Sequence, residues 1–169
     1  MLCPCPVRTV AVYFGTFDPV HLGHLLTVGL GASMFDELIV MIAVNPKKPE
    51  AGRLFTVPER LEMLREVTAK WPNVRCESSE EEMTAFARAR GAQYFLRGHR
   101  GVEDTEPELR LAAHNAELAP EVMTVFVVAA AMSSSSVKEL AARGESLEEL
   151  CPPLVVQRLA ERLARNALG

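Results

Sequence analysis

Apolar and polar positions alternate along this chain in a way that names its elements. Residues 7–14 are rich in β-branched and aromatic side chains and stop at Gly15, which predicts a buried strand. Leu22, Leu25, Leu26, Val28, Gly29 and Met34 then space a buried helix over residues 22–34. The near-continuous apolar run LIVMIAV, residues 38–44, fits a parallel strand covered on both faces. Residues 45–55 are polar, carry Pro, Lys and Gly, and read as a loop. Thr56-Val57-Pro58-Glu59 has capping-box spacing and a proline in the first turn, so a helix opens there, and Trp71-Pro72-Asn73 ends it. Residues 74–76 read as a short strand, 80–90 as a helix closed by Gly91, and 93–96 as a strand running into Arg97-Gly98-His99-Arg100. Thr105-Glu106-Pro107-Glu108 repeats the capping spacing before a helix to Leu118. A fifth strand over 124–131, a helix capped at Ser136-Val137-Lys138-Glu139 and an amphipathic helix over 154–167 complete the pattern.

Strands alternating with helices predict an α/β domain: a Rossmann-like, doubly wound sheet of about five parallel strands with helices on both faces. No repeat or long linker divides residues 1–169, so one domain is expected. The unusual polar residues all follow strands, at 15–24, 45–48, 97–100 and 133–136. In open parallel sheets ligands bind beyond the carboxyl ends of the strands, where these segments would meet.

Composition narrows the partners. A net charge of −4 lacks the basic surplus of a general nucleic-acid binder, so an anionic ligand needs a local cluster of cations and backbone N–H groups. No apolar run has the length of a membrane span, and the N-terminus lacks a signal-peptide pattern. Cys3, Cys5, Cys76 and Cys151 suit reduced thiols in a cytoplasm better than a disulfide framework, and Cys3-Pro-Cys5 has no second pair with which to bind a metal.

The candidate chemistry begins with YFGTFDPVHLGH, residues 13–24. Gly15 lets backbone approach a ligand, the following helix N-terminus attracts anions, and His21 and His24 are spaced to share a helix face. Imidazole N–H groups there can donate to phosphate; a metal pair is the competing reading, with no third ligand in view. Lys47 and Lys48 follow the second strand, and either a solvated loop or a phosphate contact fits them. Arg97 and Arg100 flank Gly98 and present forked donors suited to phosphate. Ser133, Ser134, Ser135 and Ser136 stand between a strand and a helix, where hydroxyls and N–H groups make an anion pocket. A serine-hydrolase reading is poor, because GxSxG is absent.

GTFDPVHLGH resembles the (T/H)xGH signature of the nucleotidyltransferase superfamily. RGHRGVEDTEPELRLAAHN and SSSSVKE resemble motifs of the phosphopantetheine adenylyltransferase family, in family order, over residues 7–163. That resemblance implies adenylyl transfer from ATP to 4′-phosphopantetheine in coenzyme A biosynthesis, giving dephospho-coenzyme A and pyrophosphate. It implies catalytic roles for His24, Lys47, Lys48 and Arg97. ATP would meet Gly15, Phe17, His24, Arg100, Glu108, Ser133, Ser134 and Ser135; the acceptor would meet Thr16, Lys47, Lys48, Met83, Arg97 and Asn115. Mg²⁺ would travel with ATP, and the chain would form a homo-oligomer, a hexamer in that family's manner. The chain departs from the pattern at His21, at the acidic SSEEEM of residues 78–83, at the extra residues 50–53, and in a shortened stretch before Ser133. Two alternatives stay open: nicotinate or nicotinamide mononucleotide adenylyl transfer, and a nucleotide-binding paralogue without transfer activity.

Overall fold

The structure is a computed structural model describing residues 8–46, 52–128 and 132–167. Its elements run β1 (Val10–Gly15), α1 (Leu22–Met34), β2 (Glu37–Ala43), α2 (Val57–Thr68), β3 (Val74–Ser79), α3 (Met83–Ala89), β4 (Tyr94–His99), α4 (Val102–Leu118), β5 (Met123–Val128), α5 (Ser134–Ala142) and α6 (Pro153–Ala167). The five strands form one parallel sheet in the order β3-β2-β1-β4-β5, the expected Rossmann-like architecture. The chain winds outward from β1 to β3 and then returns to the other side of β1, so the order reverses between β1 and β4. A crevice opens at such a point.

Alternate side chains of β1 feed two cores, as strand geometry requires. Ala11 and Tyr13 join a cluster with Val28 of α1, Leu64 of α2, Val137 of α5 and Leu159 of α6. Val10, Val12 and Phe14 join Phe86 of α3 and Phe95 on the other face. Helix α1 lies close to the sheet because Gly31 has no side chain; a Cβ there would sit 2.5 Å from Leu96 Cδ2.

Five local expectations need correction. Strand β3 continues through the polar residues Glu77, Ser78 and Ser79, because its backbone pairs with β2 from Leu38↔Val74 to Ala43↔Ser79. The next helix therefore starts at Met83, not residue 80, with Glu82 as its N-cap accepting from Thr84 and Ala85 N–H. Arg97-Gly98-His99 lie within β4, paired to Phe126-Val127-Val128, rather than beyond a strand ending at residue 96. The capping box at Thr105 does not form: α4 already begins at Val102 and Pro107 lies inside it. Thr105 Oγ1 is instead 3.0 Å from His99 Nε2. Helix α5 is likewise capped by Ser133, which accepts from Ser136 N, and not by Ser136. Of the fifth predicted strand, residues 129–131 lie outside the described residues.

Candidate active site

A cleft of about 370 Å³ opens at the reversal between β1 and β4. The first wall is the turn after β1. Phe17 has a φ of 50° and folds its ring back under Gly15, where a Cβ would lie 3.1 Å from the ring. Glycine is needed there for this close approach. Buried Phe17 packs edge-on against Tyr13 at 5.4 Å and against His24 at 4.8 Å. The Thr16 carbonyl accepts from the buried Arg60 at 2.9 Å, which fixes the turn from beneath. Asp18, 1% exposed, accepts from Leu54 N at 3.0 Å, Phe55 N at 2.9 Å and Lys138 Nζ at 3.3 Å.

His21 and His24 are a reciprocal capping box. His21 is the N-cap of α1 and its Nδ1 accepts from His24 N at 3.3 Å; His24 Nδ1 accepts from His21 N at 3.2 Å. The rings stack with centroids 3.6 Å apart. Since each Nδ1 is an acceptor, each neutral ring carries its proton on Nε2. Burial, then the charge of Arg100, lowers His21 from 6.5 to about 4. Burial, then His21, Arg100 and Arg97, hold His24 well below its ordinary value. Both rings are therefore neutral N–H donors at neutral pH. Burial also pushes the cleft-lining Tyr13 hydroxyl up to about 12, against the pull of Arg97, so it is no base there.

A stability consequence follows, with a definite sign. The unfolded chain takes up protons at His21 near 6.5, whereas the folded chain resists until about 4. Stability from this neutral pair is thus full above 6.5 and is lost as pH falls toward 4. Urea midpoints should decline across that window. His21→Thr, which keeps an N-cap acceptor but does not titrate, should flatten the decline; an unaltered slope would show that His21 does not carry it.

The opposite wall is cationic. Arg97 grips Glu108 with two bonds, Nε to Oε2 at 2.7 Å and Nη2 to Oε1 at 2.6 Å. Its Nη1 donates to the Phe14 carbonyl at 2.9 Å, and the guanidinium lies 4.6 Å from the Phe14 ring. Arg100 holds Asp104 through Nε at 2.6 Å and Nη2 at 3.1 Å, with Nη1 3.4 Å from the Met132 carbonyl. The start of α5 closes the third side: Ser133 caps it, Ser134 Oγ donates to the Pro19 carbonyl at 3.0 Å, and exposed Ser135 faces the cleft. The N-termini of α1 and α5 both border the cleft, adding free N–H groups and positive dipole ends for an anion. A second opening of about 560 Å³ adjoins it along Arg100, Met132 and Ser133.

Gly15, Thr16, Phe17, His24, Arg97, Arg100, Glu108, Ser133, Ser134 and Ser135 thus line one cleft. Lys47 and Lys48 lie outside the described residues. Met83 and Asn115 do not line it: Met83 packs against the Phe86–Phe95 core, and Asn115 is buried with its side-chain oxygen lacking a hydrogen-bond partner among the described residues. Glu82, the acidic departure beside Met83, has its carboxylate engaged in capping α3. Sequence reasoning missed Asp18, Lys138 and Arg53 as cleft residues. Asp18 and Lys138 stood within the quoted motifs; Arg53 carried no signal. It also missed His21 as a cap, although its three-residue spacing from His24 is that of a capping box.

Among the described residues no group of three or more His, Cys, Asp or Glu is arranged to hold a metal ion. The cleft carboxylates of Asp18 and Glu108 are already engaged by backbone N–H groups and by Lys138 and Arg97. No helix among the described residues is long and apolar enough to cross a membrane.

The chain is similar to known proteins. The cytidylyltransferase-like family model matches residues 12–140. The chain is 43% identical over 166 residues to the phosphopantetheine adenylyltransferase of Heliobacterium modesticaldum, covering 95% of this chain and 96% of that one. It is 44% identical to the enzyme of that name from Alkalilimnicola ehrlichii, covering 90% of each. A putative nicotinate-nucleotide adenylyltransferase from Vibrio parahaemolyticus shares the fold, with a TM-score of 0.68 at 15% identity, over 91% of this chain and 99% of that one. The chain belongs to the cytidylyltransferase-like family and, within it, to the phosphopantetheine adenylyltransferases.

Proposed function

We propose that this chain transfers the adenylyl group of ATP to 4′-phosphopantetheine, releasing pyrophosphate and forming dephospho-coenzyme A. The observation that carries the reading is the neutral His24, its proton held on Nε2, inside a cleft bordered by arginines and two helix N-termini. Such a site suits charge developing at a phosphate under transfer, and the reading requires no protein nucleophile. The acceptor's phosphate oxygen attacks the α-phosphorus in line; the new P–O bond forms as the bond to the β-phosphate oxygen breaks, and pyrophosphate departs. A phosphate oxyanion needs no activating base. Catalysis is then positioning and electrostatic stabilisation.

In this reading His24 donates from Nε2 to a non-bridging α-phosphate oxygen. Thr16, Arg97 and a lysine of the Lys47-Lys48 pair hold the acceptor phosphate, while Arg100, Ser134 and Ser135 hold the β- and γ-phosphates. Met83 and Asn115 serve the pantetheine arm. Mg²⁺ enters as part of the substrate, MgATP, carried by phosphates and water. Assembly into a homo-oligomer, with a hexamer as the family precedent, and a cytoplasmic location belong to the same reading. The exposed ridge Leu22, Leu26, Leu30 and Met34 along α1 supports assembly.

The test is pyrophosphate release from MgATP, with 4′-phosphopantetheine and nicotinate mononucleotide offered separately. Release should require 4′-phosphopantetheine. Turnover with the mononucleotide alone would overturn the acceptor, and silence with both, despite ATP binding, would favour a non-catalytic paralogue.

A further inference from the structure

The cations of the cleft are not equivalent. Arg97 is paired with Glu108, Arg100 with Asp104 and Lys138 with Asp18. Arg53 lines the same cleft, is exposed, and makes no hydrogen bond or ion pair among the described residues. With both histidines neutral and each other cation matched by its own carboxylate, Arg53 supplies the net positive charge of the described cleft. An anion meets the paired arginines with their charge largely compensated, but meets Arg53 with its charge intact.

Its mount is fixed on one side. The next two residues, Leu54 and Phe55, give their N–H groups to the Asp18 carboxylate at 3.0 and 2.9 Å, and the Phe55 side chain is buried. The same carboxylate takes Lys138 of α5, so Arg53 is held beside the helix whose first serines border the cleft. Gly52, with a φ of +90°, supplies the left-handed turn just before it.

We propose that Arg53 is a phosphate-binding residue that grips the β- and γ-phosphates of ATP and, in the reverse direction, pyrophosphate. The assignment rests on the ATP-dependent reading of the cleft. It follows from the attachment of the Arg53-bearing segment, through the Asp18 carboxylate, to Lys138 of α5, the helix whose first serines border the cleft. Arg53 belongs to the extra segment 50–53, so the family resemblance assigns it no role.

Calorimetric titration of the full chain with ATP, with pyrophosphate and with 4′-phosphopantetheine tests this independently of turnover. Arg53→Ala should weaken ATP and pyrophosphate about tenfold and leave 4′-phosphopantetheine within about twofold, since charge-assisted bonds to phosphate are the strong ones. Arg53→Lys should restore part of the loss, because it keeps the charge without the fork. The exposed position should leave the urea midpoint of both variants unchanged. Unchanged ATP and pyrophosphate affinities would overturn the proposal. A loss confined to 4′-phosphopantetheine would overturn the triphosphate assignment. Failure of the wild-type chain to release pyrophosphate would instead count against the functional reading, and the binding comparison would still decide Arg53.

Discussion

His24→Ala should lower turnover by about 10²–10³-fold, the usual cost of removing one preorganised donor aimed at developing charge. ATP affinity should change far less, because Arg100, the α5 serines and two helix N-termini remain to hold the phosphates. The asymmetry has a structural cause. His24 reaches its place by three constraints: the capping bond from His21 N, the stacked His21 ring at 3.6 Å and the edge of Phe17 at 4.8 Å. None of these is a ligand contact, so the ring is fixed before substrate arrives and its Nε2–H costs nothing further to orient. Single-turnover kinetics with saturating MgATP and 4′-phosphopantetheine would isolate the chemical step, and calorimetry would report ATP binding. Unchanged turnover would remove His24 from the mechanism. An equal loss in ATP affinity and turnover would make it a ground-state binding residue instead.

How much of this was legible in the chain depends on which force fixes each feature. The apolar runs of β1 and β2 are buried on both faces, so composition alone locates them. Strand β3 is an edge strand whose second half is polar; backbone pairing to β2 holds it, and side-chain pattern is silent about that. Thr56 and Glu59 form the predicted capping box, since both partners are local. Thr105 and Glu108 have the same spacing, yet tertiary partners claim them: His99 takes the threonine hydroxyl and Arg97 the carboxylate. The strand-end clustering of Gly15, His24, Arg97 and the serines was readable because parallel sheets gather such ends. The neutrality and tautomer of the histidine pair were not, since burial and two backbone bonds decide them.

Asp18→Ala should cost about 3 kcal/mol of stability, the scale on which breaking a buried ionic contact from one side operates. The carboxylate is 1% exposed and serves three donors from two distant segments: Leu54 and Phe55 N–H before α2, and Lys138 Nζ on α5. Alanine leaves the buried Phe55 N–H without its acceptor, the amide of Leu54 with only water to replace it, and Lys138 without its counter-charge. Asp18→Asn separates these costs. Its amide oxygen can still accept one backbone N–H, but its NH₂ is a donor facing donors and its charge is gone, so the loss should be smaller but real. Urea unfolding should show the midpoint falling in the order wild type, Asn, Ala with the slope unchanged, as befits a change in stability rather than in the denatured chain. Because Arg53 is carried by the segment that Asp18 tethers, the alanine variant should also lose ATP affinity under conditions where it is still folded. A variant that unfolds at the wild-type midpoint would mean that the tether is not what holds these two segments to the turn after β1.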